Sequence, residues 1–189
     1  REHQAVLFSD EVYRGLEHDE ADRLPAACDS YERAISLNTV SKAYGLPGLR
    51  VGWVVCRDHH VLRRMRELKL YTTICSSAPS ELLVALALRH SERIVDDSRR
   101  LIAANLPLID GLLERRADTF SWIRPDAGPI GFARVAGVRD LTGWCERIAG
   151  EAGVLLLPGS VYSEPDHVRL GYGRANLAQA IARLDSYLS

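Results

Sequence analysis

Lysine is nearly missing from this sequence. Of 24 basic residues only Lys42 and Lys69 are lysines, and the other 22 are arginines. A chain that uses arginine for almost every positive charge makes a retained lysine raise the question of what guanidinium cannot do, which is to lose a proton near neutrality and attack a carbonyl carbon. Excess charge is missing too. With 24 basic against 25 acidic residues the formal net charge is -1, which disfavours a general nucleic-acid binder or a polybasic membrane-surface protein. No apolar run approaches the roughly 20 residues that cross a bilayer, and Arg1–Asp10 lacks the layout of a signal peptide, so a soluble, cytoplasmic protein is expected. The four cysteines, Cys28, Cys56, Cys75 and Cys145, form no CxxC pair. That excludes a zinc knuckle or disulfide framework and leaves buried free thiols as the expectation.

What is present is the balance of a globular protein, 47% hydrophobic and 26% charged. The two lysines differ in context. Lys69 lies in a segment where Val61, Met65 and Leu68 recur at helical spacing, which puts it on or near a solvated side. Lys42 lies between strands, in a loop dense in hydroxyls and glycine. The acidic run Glu17, His18, Asp19, Glu20 has no metal-ligand spacing and reads as a solvated charge run. No metal site is expected.

Ala5–Phe8 reads as a buried strand of a parallel sheet whose carboxyl end delivers Ser9, Asp10 and Glu11, where α/β folds place ligands. Ala34–Leu37 and Val51–Cys56 read as two more strands. Helices are expected over about Asp58–Tyr71 and Glu81–His90, then an amphipathic stretch over Ser91–Arg116 interrupted or kinked near Pro107. Beyond Ala104 come short strands at Phe120–Ile123, Ile130–Val135, Val154–Leu157 and Val168–Tyr172, with helices at about Leu141–Glu151 and Asn176–Leu188. The reading is α/β in two parts, residues 1–103 and a smaller lobe at 104–189.

The segment from Ser36 to Trp53 concentrates the chemistry. It holds an amine, Lys42; two nearby hydroxyls, Thr39 and Ser41; turn-forming glycine and proline; and Arg50, a fork-shaped anion binder. Hydroxyls and a guanidinium suit a phosphate, and an amine suits an aldehyde, so these are the parts that hold a phosphorylated aldehyde cofactor. No G-x-x-x-x-G-K precedes the hydroxyl, so it is not a P-loop, and Gly171-Tyr172-Gly173 does not fit a dinucleotide fingerprint.

This run resembles the active-site lysine signature of class I and II aminotransferases, pyridoxal-phosphate (PLP) enzymes of fold type I. The match runs from Ser41 to Gly52 and departs at Thr39, where Ser or Gly is commoner. Asp10-Glu11-Val12-Tyr13 resembles the family's Asp-x-x-Tyr motif, and Gly153–Tyr162 with His167–Gly173 resembles its late Pro-Gly-Ser turn and penultimate strand. The resemblance implies that Lys42 is the Schiff-base residue and Asp10 the partner of the pyridine nitrogen. It gives Tyr13 the ring 3-oxygen, Thr39, Ser41 and Arg50 the phosphate, and Arg169 the substrate α-carboxylate. Arg174 reads as a surface residue beside it. The fold implied is the second half of a fold type I large domain, a mostly parallel sheet with covering helices, followed by a small C-terminal α/β domain.

Members of this family are about twice as long, so the chain is expected to be a fragment, inactive alone and partnered by a missing N-terminal half and a second subunit of a homodimer. The expected activity is transamination between amino and keto acids, with no nucleic acid or membrane partner. Alternatives are another outcome of the same carbanion, such as cyclisation, elimination or condensation, and a non-catalytic aminotransferase-like module. Pro125–Phe132 departs from the family's Pro-x-Gly-Gly form, which leaves room for specificity outside the common aminotransferases.

Overall fold

In the computed structural model, which describes residues 3–189, the first apolar run becomes β1 (Leu7–Asp10). It starts two residues later than its apolar pattern suggests, so Asp10 ends the strand itself. A short helix α1 (Ala27–Ser30), β2 (Ala34–Thr39) and β3 (Gly52–Cys56) follow. The sheet order is β1-β2-β3. β1 and β2 are parallel, with Asp10 opposite Leu37, whereas β3 runs antiparallel to β2, with Thr39 opposite Gly52. An antiparallel β3 is a departure from a purely parallel sheet, and its cause is local. The β2–β3 loop closes on itself, Val40 N–H donating to the Val51 carbonyl at 3.3 Å, and a chain that returns this directly makes a hairpin rather than a crossover.

β1 is not buried, contrary to its reading as an interior strand: Leu7 is 47% and Phe8 57% exposed. Among the described residues it pairs with β2 alone. α2 (His59–Thr72) is capped by Asp58, whose carboxylate accepts from His60 and Val61 N–H at 2.8 and 3.2 Å. Its apolar positions Met65 and Leu68 are exposed, as is Lys69, whose ammonium donates to the Thr73 hydroxyl at 3.0 Å. α3 (Ala78–Arg89) starts three residues before the sequence suggests, because Ser77 caps it and Pro79 sits in its first turn.

The chain divides into two compact units between Ser98 and Arg99. α4 (Ser91–Arg115) passes through this boundary and runs unbroken past Pro107, where the sequence suggests a break. Pro107 and Ala103, whose carbonyl loses its partner, are both exposed, and a lost helix bond costs less on a solvated face than in a core. Buried Ile102, Leu106, Ile109, Leu112 and Leu113 hold the helix on either side.

The second unit is a four-stranded sheet of order β4-β5-β7-β6, made of β4 (Phe120–Trp122), β5 (Ile130–Val135), β6 (Leu157–Pro158) and β7 (His167–Gly171). Its three pairings are antiparallel. α5 (Leu141–Glu151) buries Leu141, Trp144, Cys145 and Ile148, a helical stripe, and α6 (Leu177–Tyr187) buries Leu177 and Leu184. The strand read at Val154–Leu157 is reduced to two residues of pairing. Only Cys28 and Cys145 of the four free cysteines are buried; Cys75 is exposed. No helix among the described residues is long and apolar enough to cross a membrane.

Candidate functional site

Because β1 and β2 are parallel, their carboxyl ends lie at one edge of the sheet. β1 ends in Asp10, β2 ends in Thr39, and the loop after β2 carries Ser41 and Lys42. The loop is held by its apolar residues. Val40 and Ala43 are fully buried, which anchors the backbone on both sides of Lys42 while the lysine side chain stays exposed. Leu46 N–H donates to the Val40 carbonyl at 2.9 Å and Gly45 N–H to the Lys42 carbonyl at 3.0 Å. Gly45 has φ 64, a left-handed conformation that glycine adopts without a Cβ penalty.

The Lys42 ammonium stands over the Tyr13 ring, 5.8 Å from its centroid, within cation–π range. No hydrogen bond or ion pair to another described residue engages it, so its amine is available to a ligand. The Thr39 hydroxyl accepts from Ser41 N–H at 3.0 Å, which aims that oxygen along the loop and leaves its proton to donate. Asp10 accepts from Val12 N–H at 3.2 Å, a turn that brings Tyr13 round behind the strand end.

Arg50 has φ 54 and ψ 39. A left-handed conformation costs a non-glycine residue about 1 kcal/mol, and here it ends the Pro47–Leu49 turn and leads directly into β3. Its guanidinium donates to the Pro47 carbonyl at 2.9 Å. Gly52, two residues on, allows β3 to start beside Thr39: a Cβ there would lie 2.8 Å from the Asn38 carbonyl oxygen. The first unit therefore brings Asp10, Tyr13, Thr39, Ser41, Lys42 and Arg50 to one sheet edge and its loop.

Glu11 supports that edge, a role its sequence context does not signal. Its carboxylate accepts from Ala27 N–H at 2.8 Å and from the Ser36 hydroxyl at 2.7 Å, tying the end of β1 to α1 and to the middle of β2. Burial pushes this carboxyl up, but the Ala27 amide, the Ser36 and Ser9 hydroxyls and the Arg14 charge outweigh it and hold Glu11 below its ordinary 4.5. A lowered folded-state value means stability that is present above about 4.5 and lost as pH falls through the lower value. Glu11→Gln is therefore expected to lower the melting temperature at pH 7, with the difference from the parent shrinking as pH falls through the lowered value; thermal melts across pH 3–8 check this. At neutral pH the destabilisation expected for one charge-assisted hydrogen bond is about 1–3 kcal/mol.

Arg169 belongs to the second unit, in β7, opposite Phe132 and Leu157. Its neighbours Val168 and Leu170 are 0% and 3% exposed, so strand alternation turns Arg169 to the other face of the sheet. There its guanidinium donates to the Tyr162 hydroxyl at 2.9 Å. Arg174 is exposed and lies ahead of α6, which starts only at Leu177; its carbonyl accepts from the buried Asn105 amide at 2.8 Å.

The donor set of the first unit fits PLP: an amine for the aldehyde, an acid for a ring nitrogen, a phenol, and two hydroxyls with a guanidinium for a dianionic phosphate. Residues 1–184 match the family model of aminotransferase class I and II. The chain is 31% identical to a capreomycidine synthase of Streptomyces vinaceus, over 98% of this chain and 48% of that protein. It is 26% identical to an aspartate aminotransferase of Thermotoga maritima, over 97% and 47%. In structure it is similar to a PLP-dependent aminotransferase from Streptococcus suis, with a TM-score of 0.91 at 33% identity over 99% of this chain and 49% of that one. It is also similar to the PLP-dependent cyclase OrfR, with a TM-score of 0.87 at 27% identity over 97% and 50%. The chain spans about half the length of the relatives it matches.

Proposed function

Since this chain belongs to the class I and II aminotransferase family and has its fold type I architecture, we propose that the complete protein binds PLP and transfers the amino group of an α-amino acid to a keto acid. The observation that carries this is the Lys42 amine poised over Tyr13, flanked by Asp10 on one strand end and by Thr39, Ser41 and Arg50 on the other. In the same proposal the protein works as a cytoplasmic homodimer, and residues 1–103 contribute to the cofactor-binding domain while 104–189 form the small domain.

Each residue has a task that its chemistry suits. Lys42 would hold the cofactor through its aldehyde, and its free amine would take the proton from the substrate Cα. Asp10 holds a proton on the ring nitrogen, since a carboxylate beside it favours the cationic form. Tyr13 donates to the ring oxygen. Thr39, Ser41 and Arg50 hold the phosphate through charge-assisted hydrogen bonds. Arg169 holds the substrate carboxylate. When bound, PLP supplies an electron sink for the pair left at Cα.

A second outcome is favoured by one observation: a capreomycidine synthase and a PLP-dependent cyclase are among the proteins this chain resembles. Proton removal at Cα starts cyclisation as well as transamination, so Lys42 serves both. Product analysis on the full polypeptide separates them. Formation of a keto acid with transfer of the amino group to a second keto acid is the expected result. A cyclised amino acid with no keto acid would replace transamination by the second outcome, and cofactor binding without turnover of any amino acid would reduce the protein to a non-catalytic module.

A further inference from the structure

We infer that Tyr162 is a positioning residue for Arg169, holding its guanidinium so that one edge of the fork stays presented to a carboxylate. This rests on the reading of Arg169 as the carboxylate-binding group. Arg169 Nη1 donates to the Tyr162 hydroxyl at 2.9 Å. A guanidinium has two edges that can meet a carboxylate with paired donors. With Nη1 engaged, the Nε and Nη2 edge remains whole, and rotation that would take it away breaks the hydrogen bond to the phenol.

The phenol itself is held by its surroundings. Tyr162 closes a 3₁₀ turn, Gly159–Tyr162, that is locked when Glu164 N–H donates back to the Gly159 carbonyl at 3.0 Å. Gly159 is buried there, with no room for a Cβ between the Glu164 and His167 carbonyls. The Tyr162 ring meets Phe132 edge-on, at 5.9 Å and 89°. Phe132 stacks on His167 at 4.8 Å and 9°, and the His167 ring is in turn fixed to Asp166 at 2.7 Å. Phe132 is the cross-strand neighbour of Arg169, so one face of the sheet carries the arginine, the aromatic wall and the phenol together. Tyr162 is 49% exposed, so its turn and its edge contact with Phe132, rather than burial, hold the ring. A stiff aromatic side chain whose polar tip ends on a guanidinium restricts that guanidinium at low entropic cost.

The test uses the full PLP-loaded polypeptide with the smallest matched pair of probes, L-alanine and ethylamine, followed by the change in the bound cofactor's absorbance. The cofactor-free protein is titrated with propionate by calorimetry. Tyr162→Phe keeps the ring and removes only the acceptor. It should weaken L-alanine and propionate about tenfold, the usual scale for a hydrogen bond to a charged group. Ethylamine affinity should change by less than about twofold and the melting temperature by less than about 2 °C. Parental affinity of Tyr162→Phe for propionate would overturn the proposal, and so would equal weakening of ethylamine and L-alanine, which marks a general structural role. Arg169→Leu is the control on the underlying reading. If it leaves propionate affinity intact, Arg169 is not the carboxylate group and the role of Tyr162 falls with it. If it abolishes propionate binding while Tyr162→Phe does nothing, only the positioning role fails.

Discussion

Lys42→Ala and Lys42→Arg are both expected to lower turnover of the complete protein by at least about 10⁴-fold, because in the proposed mechanism one amine would both attach the cofactor and move the Cα proton. The arginine variant is the more informative. It conserves charge, and a guanidinium would preserve the cation–π interaction with Tyr13 at 5.8 Å, yet it stays protonated and is a poor nucleophile. Equal effects in the two variants separate a requirement for a reactive amine from a requirement for positive charge. Steady-state rates with added PLP check this, and an arginine variant keeping more than about a hundredth of the parental rate contradicts it. Lys69→Ala should change little, since Lys69 is an exposed helix residue bonded to Thr73.

Arg169→Leu is expected to cut kcat/KM for α-amino acids at least about a hundredfold. Removing a bidentate, charge-assisted interaction from a desolvated site typically costs about 2–5 kcal/mol, and about 1.4 kcal/mol corresponds to one decade. Amines without a carboxylate should be spared. Arg174→Leu should do little, since its exposed side chain lies outside β7 and what its backbone contributes, a carbonyl for Asn105, survives the substitution. Comparing both variants on an amino acid and its decarboxylated amine is decisive. A larger carboxylate-specific effect for Arg174→Leu, or equal effects on both substrates for Arg169→Leu, contradicts the assignment.

How much of this is legible in sequence depends on how local the cause is. Lys42 stands out because arginine has displaced lysine almost everywhere else, and the residues that shape its loop, Val40 through Gly52, act on their near neighbours. The starts of α2 near Asp58 and of α5 at Leu141 are legible for the same reason: the Asp58 and Asp140 side chains cap amides two or three residues on. The alternation of Val168, Arg169 and Leu170 is enough to turn the arginine from the core.

What is not legible depends on partners distant in sequence. The direction of β3 follows from how the loop folds back, which a run of apolar residues cannot encode. β1 reads as interior because Val6, Leu7 and Phe8 are continuous and apolar, and whether such a run is covered depends on what packs against it. Pro107 reads as a break because proline removes a hydrogen bond, but the buried stripe around it outweighs that cost. Glu11 and Tyr162 are ordinary residues in sequence. Their roles rest on Ala27 and Ser36 for one and on Phe132 and Arg169 for the other.

The most direct test of the central claim is the site of covalent attachment. The complete protein is loaded with PLP, reduced with borohydride, digested, and the peptide carrying the phosphopyridoxyl mass is sequenced by mass spectrometry. The account predicts that the label lies on Lys42 and disappears in Lys42→Ala. A label on Lys69 or on a lysine outside this chain, or full labelling that persists in Lys42→Ala, would contradict it.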